Sequence, residues 1–269
     1  MHTALVEYAK DIPPGTGKAL FLHGTLLLQL GDVEEAIECF DKAASYLEVR
    51  GGSFGTLSAD GGLTLADVHH SQTQSRFLHA MYGGTKDPDG CWFMHKNDVR
   101  MTLLNEVVDL CQRVLATTTN PTLQTSILYT KACAHFYLGC CPIDPSQYYP
   151  TPSELQTLLD HTNLAIATAL LSELVANEDF ESHSEALLMI ARCHALSGQM
   201  TLAEDARDKY YALVENPIRI HFTNRFYDLF WPLPQPLPTH RLGYLGGGLH
   251  IFETHTFTAH NGVITACSS

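Results

Sequence analysis

Between Gly17 and Leu47, small and apolar residues recur at steps of four and three, with a single break at Gly31-Asp32. Those steps constrain the fold more than any other feature of the chain. In helical conformation Leu20, Gly24 and Leu27 share one face, and after the break Ala36, Phe40 and Ala43 share another. The segment therefore reads as two helices joined by a tight turn. A small residue on each, Gly24 and Ala36, lets the backbones approach closely, while Leu20, Leu27 and Phe40 fill the surrounding space. Such a pair buries the rest of its apolar surface only by stacking on further pairs.

The pattern returns. Ser184 to Pro217 places Leu187, Ala191, Gly198 and Ala203 at the same intervals, and Ile127 to Gly139 repeats the first half with Leu128, Ala132 and Gly139. A large apolar residue, a small one four later, a turn Gly, then Ala, an aromatic and Ala is the order of the tetratricopeptide repeat, and the chain resembles that family. It departs at Leu27, where the family has an aromatic, and at Gly51-Gly52, which ends the first unit without a Pro. In the last unit Arg207 replaces the second-helix aromatic, Tyr210 replaces the Ala after it, and Pro217 comes late. Further helices are expected over Thr64–Met81 and Asn97–Ala116, and Thr151-Pro152-Ser153-Glu154 is a capping box that opens another. Irregular loops are expected at about 50–63, 84–96 and 140–151.

The fold expected is thus all-α, eight to ten helices stacked in antiparallel pairs as a short solenoid over residues 1–230. Residues 231–238 form a Pro-rich linker that cannot be helical. Residues 239–269 form a non-helical tail, in which LHIFETHTFTA and GVITACS flank Asn261-Gly262 as a β-hairpin would. A hairpin alone is marginal in water, so it packs on the helices, pairs with a partner or stays disordered. The PLPQPLP stretch reads as a stiff spacer, with docking into an aromatic groove as the other reading.

Charge and cysteine usage exclude several roles. Lys and Arg number 16 against 29 acidic residues, a formal charge of −13 with no basic stripe, which disfavours direct contact with nucleic acid or anionic lipid. No run of eighteen apolar residues occurs, so membrane insertion is not expected, and MHTALVEYAK lacks the layout of a secretory signal. Eight scattered cysteines without a C-x-x-C pair fit a reducing, cytoplasmic or nuclear compartment.

No catalytic, cofactor-binding or metal-binding residue is expected. Pro13-Pro14-Gly15-Thr16-Gly17-Lys18 looks like a phosphate loop, but Ile12 stands before the first Pro and Ala19 follows Lys18 where Ser or Thr would hold magnesium. A helix-capping turn is the better reading. Fifteen histidines invite a metal site, with His69, His70 and His79 near one helix, yet ligation needs three or four donors converging in space. His250, His255 and His260 alternate faces in a strand. His135 and His194 stand at late first-helix positions and read as packed, hydrogen-bonded core residues. A Cys-His nucleophile around Cys133, Cys140, Cys141 and His135 lacks the cationic surroundings that activate a thiol.

The family resemblance implies an interaction scaffold or adaptor that holds a partner helix or extended peptide on its concave face. On that face stand Lys18, Phe21, Thr25 and Leu28, then Ser126, Tyr129, Cys133 and Phe136, then Glu185, Leu188, Arg192 and Ala195. The set is mostly apolar, and Phe21 and Thr25 occupy the places where chaperone-tail binders carry Lys and Asn. Two other readings stand beside it: a structural subunit of a larger assembly, for example one like the cohesin loader, and a His- or Cys-based enzyme or metal sensor.

Overall fold

The structure is a computed structural model that describes residues 16–49, 63–86, 92–142, 157–177, 180, 182–215, 257–260 and 263–266. Eight helices of eight residues or more run through the described part: α1 (Thr16–Leu30), α2 (Val33–Val49), α3 (Leu65–Tyr82), α4 (Asn97–Leu115), α5 (Pro121–Cys140), α6 (His161–Val175), α7 (His183–Leu196) and α8 (Met200–Leu213). Each packs on the next, and α1 also touches α3 and α3 touches α5, so alternate helices share a layer. This is the geometry of stacked helix pairs, a tetratricopeptide-like solenoid.

Local chemistry sets the boundaries. Gly31 and Gly198 adopt φ of 91° and 74°, and each reverses the chain between the two helices of a pair. At the start of α3, Thr64 and Asp67 form a reciprocal capping box, the Asp67 N–H reaching Thr64 Oγ1 at 3.2 Å and the Thr64 N–H reaching Asp67 Oδ2 at 2.8 Å. The side chain of Asn120 caps α5 with Pro121 at the first helical position, and Asp160 caps α6 by accepting from the N–H groups of Thr162 and Asn163. The capping box read at Thr151–Glu154, the linker and most of the tail lie outside the described residues.

The core follows the small–large alternation of the sequence. Leu27, Ala36, Phe40, Ala43 and Leu47 are buried together at the α1–α2 contact, and the main core runs on from Phe77 in α3 to Ala206 in α8. A Cβ on Gly24 would lie 2.9 Å from Phe40 Cε1, so glycine is what brings α1 this close to α2. Gly139 differs from its sequence reading as a turn. Its helix continues to Cys140, and a Cβ there would lie 2.7 Å from Leu164 Cγ, so it is a second close helix contact, between α5 and α6.

Two short antiparallel ribbons complete the structure. β1 (Gly84–Lys86) pairs with β2 (Trp92–Met94) inside the segment expected to be an irregular loop. β3 (Phe257–His260) pairs with β4 (Val263–Ala266), with His260 opposite Val263 across the Asn261-Gly262 connection, as the turn chemistry anticipates. Among the described residues no helix is long and apolar enough to cross a membrane.

Candidate partner-binding face

The first turn of α1 is built from Thr16, Gly17 and Lys18, the end of the loop that looks like a phosphate-binding motif. These residues are helical, and Lys18 is exposed. Lys18 is also the only charged residue of α1, in a chain of net charge −13. Phe21, Thr25 and Leu28 follow it up the helix and remain half-buried. Phe21 leans on Phe40 with ring centroids 5.8 Å apart, and the Thr25 hydroxyl donates to the Phe21 carbonyl at 2.9 Å. One flank of this stripe is open apolar surface: Leu22, Leu26 and Leu30 are 51%, 57% and 68% exposed. They recur every four residues and so form a single row along α1.

Most of the corresponding stripe on later helices is closed, although Ser126 and Glu185 stay half-buried. Tyr129, Cys133 and Phe136 of α5 and Leu188 of α7 are buried, and Arg192 is 0% exposed. Tyr129 packs edge-on against Phe180, and Phe136 against Tyr137. The reason lies in position within the array. From Ile127 to Cys140 nearly every side chain of α5 is buried, because neighbours cover it on all sides. The sequence-derived face is thus brought together only in part: α1 offers an accessible stripe, whereas α5 and α7 contribute side chains to the core.

Arg192 stands apart chemically. Among the described residues it is the largest fully buried side chain, and Nε, Nη1 and Nη2 find no hydrogen-bond partner there. Burial pulls its guanidinium below the usual range, opposed by the hydroxyl groups of Tyr137, Tyr129 and Tyr210. No carboxylate among the described residues pairs with it, and a buried cation without a counter-charge costs roughly several kcal/mol even after relaxation.

The residues weighed for chemistry have ordinary surroundings. Burial pushes the Cys133 thiol up, the Cys140 thiol well above its usual value and the Cys141 thiol to about 11, so all three are held as neutral thiols at pH 7. His135 is buried and donates from Nδ1 to Asn163 Oδ1 at 2.7 Å, a packed and satisfied histidine. His194 donates to Gln199 Oε1 at 2.7 Å but is only half-buried. His70 is held against Ser126 Oγ at 2.7 Å, and burial lowers its pKa to about 4.

Two features escaped the sequence reading. The leucine row on α1 was legible as an excess of leucine around the helix, since Leu20 and Leu27 already satisfied the inner face. A groove of about 500 Å³ between α2, α3 and α4, lined by Asp41, Glu48, His69, Arg76, Asp109 and Arg113, joins residues from three helices and leaves no local signal. In it Arg76 Nη2 donates to both carboxylate oxygens of Asp41 at 2.8 Å.

Comparison with known proteins bears on the end of the array. The family described as tetratricopeptide repeat matches residues 154–216, which contain α6, α7 and α8. Neither a curated protein nor a solved structure matches the chain.

Proposed function

Since the chain is a tetratricopeptide-like protein of serially stacked helix pairs, an architecture that generally serves as a protein-interaction scaffold, we propose that it docks an apolar helix or extended segment of a partner protein on α1. The observation that carries the proposal is the row of Leu22, Leu26 and Leu30, beside the half-buried Phe21, Thr25 and Leu28 and the exposed Lys18. Three leucines left more than half exposed on one helix form the kind of patch that marks a contact surface. Burying one such side chain is worth about 1.5–3 kcal/mol, so three together bring substantial binding energy before ordering costs. Lys18 is the one cation on this helix and favours a partner segment with an acidic residue beside its apolar stretch.

The test compares affinity capture and mass spectrometry for the wild-type chain and for Leu22→Ser with Leu26→Ser. Both side chains point away from the core, so the variant keeps its fold, which circular dichroism checks. Loss of specific protein partners in the variant is the expected result. An unchanged set of captured proteins refutes docking on α1. The same row also suits end-to-end packing against a neighbouring subunit, which would appear as concentration-dependent self-association abolished by the two substitutions.

A further inference from the structure

The leucine row on α1 constrains the conformation of whatever segment covers it. From Lys18 to Leu30 the row runs about 18 Å, at about 1.5 Å of rise per residue. An extended segment of that length has about five residues, and so brings about ten backbone N–H and C=O groups. Those facing α1 would lose water against Leu22, Leu26 and Leu30, which offer them no hydrogen bond. The polar side chains of this part of α1 are engaged or stand at its ends. The Thr25 hydroxyl donates to the Phe21 carbonyl at 2.9 Å, and His23 Nδ1 lies 3.6 Å from Cys39 Sγ. Lys18 and Gln29 occupy the first and last turns. A helix avoids this desolvation, because its backbone groups are bonded within itself. Its side chains, at steps of three and four, form the grooves into which a four-step row fits.

Charge adds a second requirement. Lys18 stands in the first turn of α1, at the positive end of the helix dipole, and that turn holds no acidic residue. A carboxylate brought there meets the ammonium group and the helix end together. The same helix of a second copy does not supply it, since Thr16–Leu30 contains neither Asp nor Glu.

We infer that the occupant of the row is an amphipathic helix of a partner protein, with apolar residues at steps of three and four and an acidic residue lying over Lys18. The inference rests on the reading of α1 as the docking surface and narrows its ligand from an apolar helix or extended segment to a helix of this pattern.

A phage-displayed library of random peptides, long enough for about five helical turns, tests it. The library is selected on the full chain and counter-selected on Leu22→Ser with Leu26→Ser. Enriched peptides should carry apolar residues at steps of three and four, an Asp or Glu toward one end and no internal Pro. Each should bind the wild-type chain about tenfold or more tightly than the double variant. Lys18→Ala should weaken them about two- to fivefold and lessen their salt dependence. Peptides that need Leu22 and Leu26 but place apolar residues at steps of two, or a Pro in the middle, overturn the helix while leaving docking on α1 in force. Equal affinity for Lys18→Ala overturns the acidic contact. Failure to enrich any peptide that prefers the wild-type chain to the double variant removes the docking surface, and the inference with it.

Discussion

Adding one methyl group at Gly24 measures how closely α1 and α2 are packed. The new Cβ would lie 2.9 Å from Phe40 Cε1 and 3.1 Å from both Phe40 Cδ1 and Cys39 Cβ. Phe40 is 1% exposed, so its ring cannot swing into solvent to make room. Helix propensity favours Ala over Gly by about 1 kcal/mol, while forcing a carbon into a filled contact costs about 1–3 kcal/mol. The net for Gly24→Ala is a loss of about 0–2 kcal/mol, and Gly24→Leu should lose about 3 kcal/mol or more. The exposed Lys18, replaced by Ala, should matter by less than about 0.5 kcal/mol. A double-mutant cycle isolates the contact. Phe40→Leu alone leaves a gap, and with Gly24→Ala the new methyl occupies part of it, so the pair should be more stable than the sum of the singles by about 0.5–2 kcal/mol. Urea unfolding followed by circular dichroism at 222 nm (the usual helix wavelength) is the assay, with the slope monitored, because a first pair that frays separately lowers it. Additivity within about 0.3 kcal/mol would show that Gly24 does not face Phe40, and the helix register would be refuted.

Three other outcomes follow from the structure. Arg192→Met should stabilise the protein by about 1–4 kcal/mol, since it removes an uncompensated buried charge while keeping its volume; a lower urea midpoint would mean the guanidinium has a counter-charge in solution. His70 titrates near 6.5 when unfolded and about 4 when folded, so the stability of its neutral form is complete above pH 6.5 and lost as pH falls toward 4. That amounts to about 3 kcal/mol, and urea melts of His70→Gln should show a correspondingly shallower acid loss; an unchanged pH profile refutes the burial of His70. Limited proteolysis should cut within 231–238 and leave a helical core ending near residue 230, because extended Pro-rich backbone makes no internal hydrogen bonds; a core that unfolds once 232–269 are removed would place the tail within the fold.

What could be read from residue order was what a helix pair determines by itself. The steps from Leu20 to Ala43 imply two faces, a turn glycine and a close contact, and Gly31, Gly198, Ala36 and Phe40 all occupy those places because each depends on neighbours within one turn or one reversal of chain. Gly139 did not, because the same residue serves a tight turn or a tight crossing, and only the packing of Leu164 from the next helix distinguishes them. The stripe expected to face a partner divided for a related reason. Periodicity says that Tyr129, Phe136, Leu188 and Arg192 lie on the face equivalent to Lys18, Phe21, Thr25 and Leu28, but whether that face is open depends on how many helices surround it. α1 stands at one edge of the described array and keeps its leucines in solvent; α5 lies in the middle, and of its stripe only Ser126 stays half-buried while Tyr129, Cys133 and Phe136 are covered. The contact of His79, near the end of α3, with His95, whose Nε2 atoms stand 3.4 Å apart, is the extreme case. His79 belongs to a helix and His95 to what reads as a loop, and their encounter requires a three-residue ribbon with no alternation long enough to announce it. Repeat periodicity therefore locates the scaffold, whereas the surfaces that distinguish this chain arise where the repeats end or are interrupted, at α1 and at the ribbon between α3 and α4.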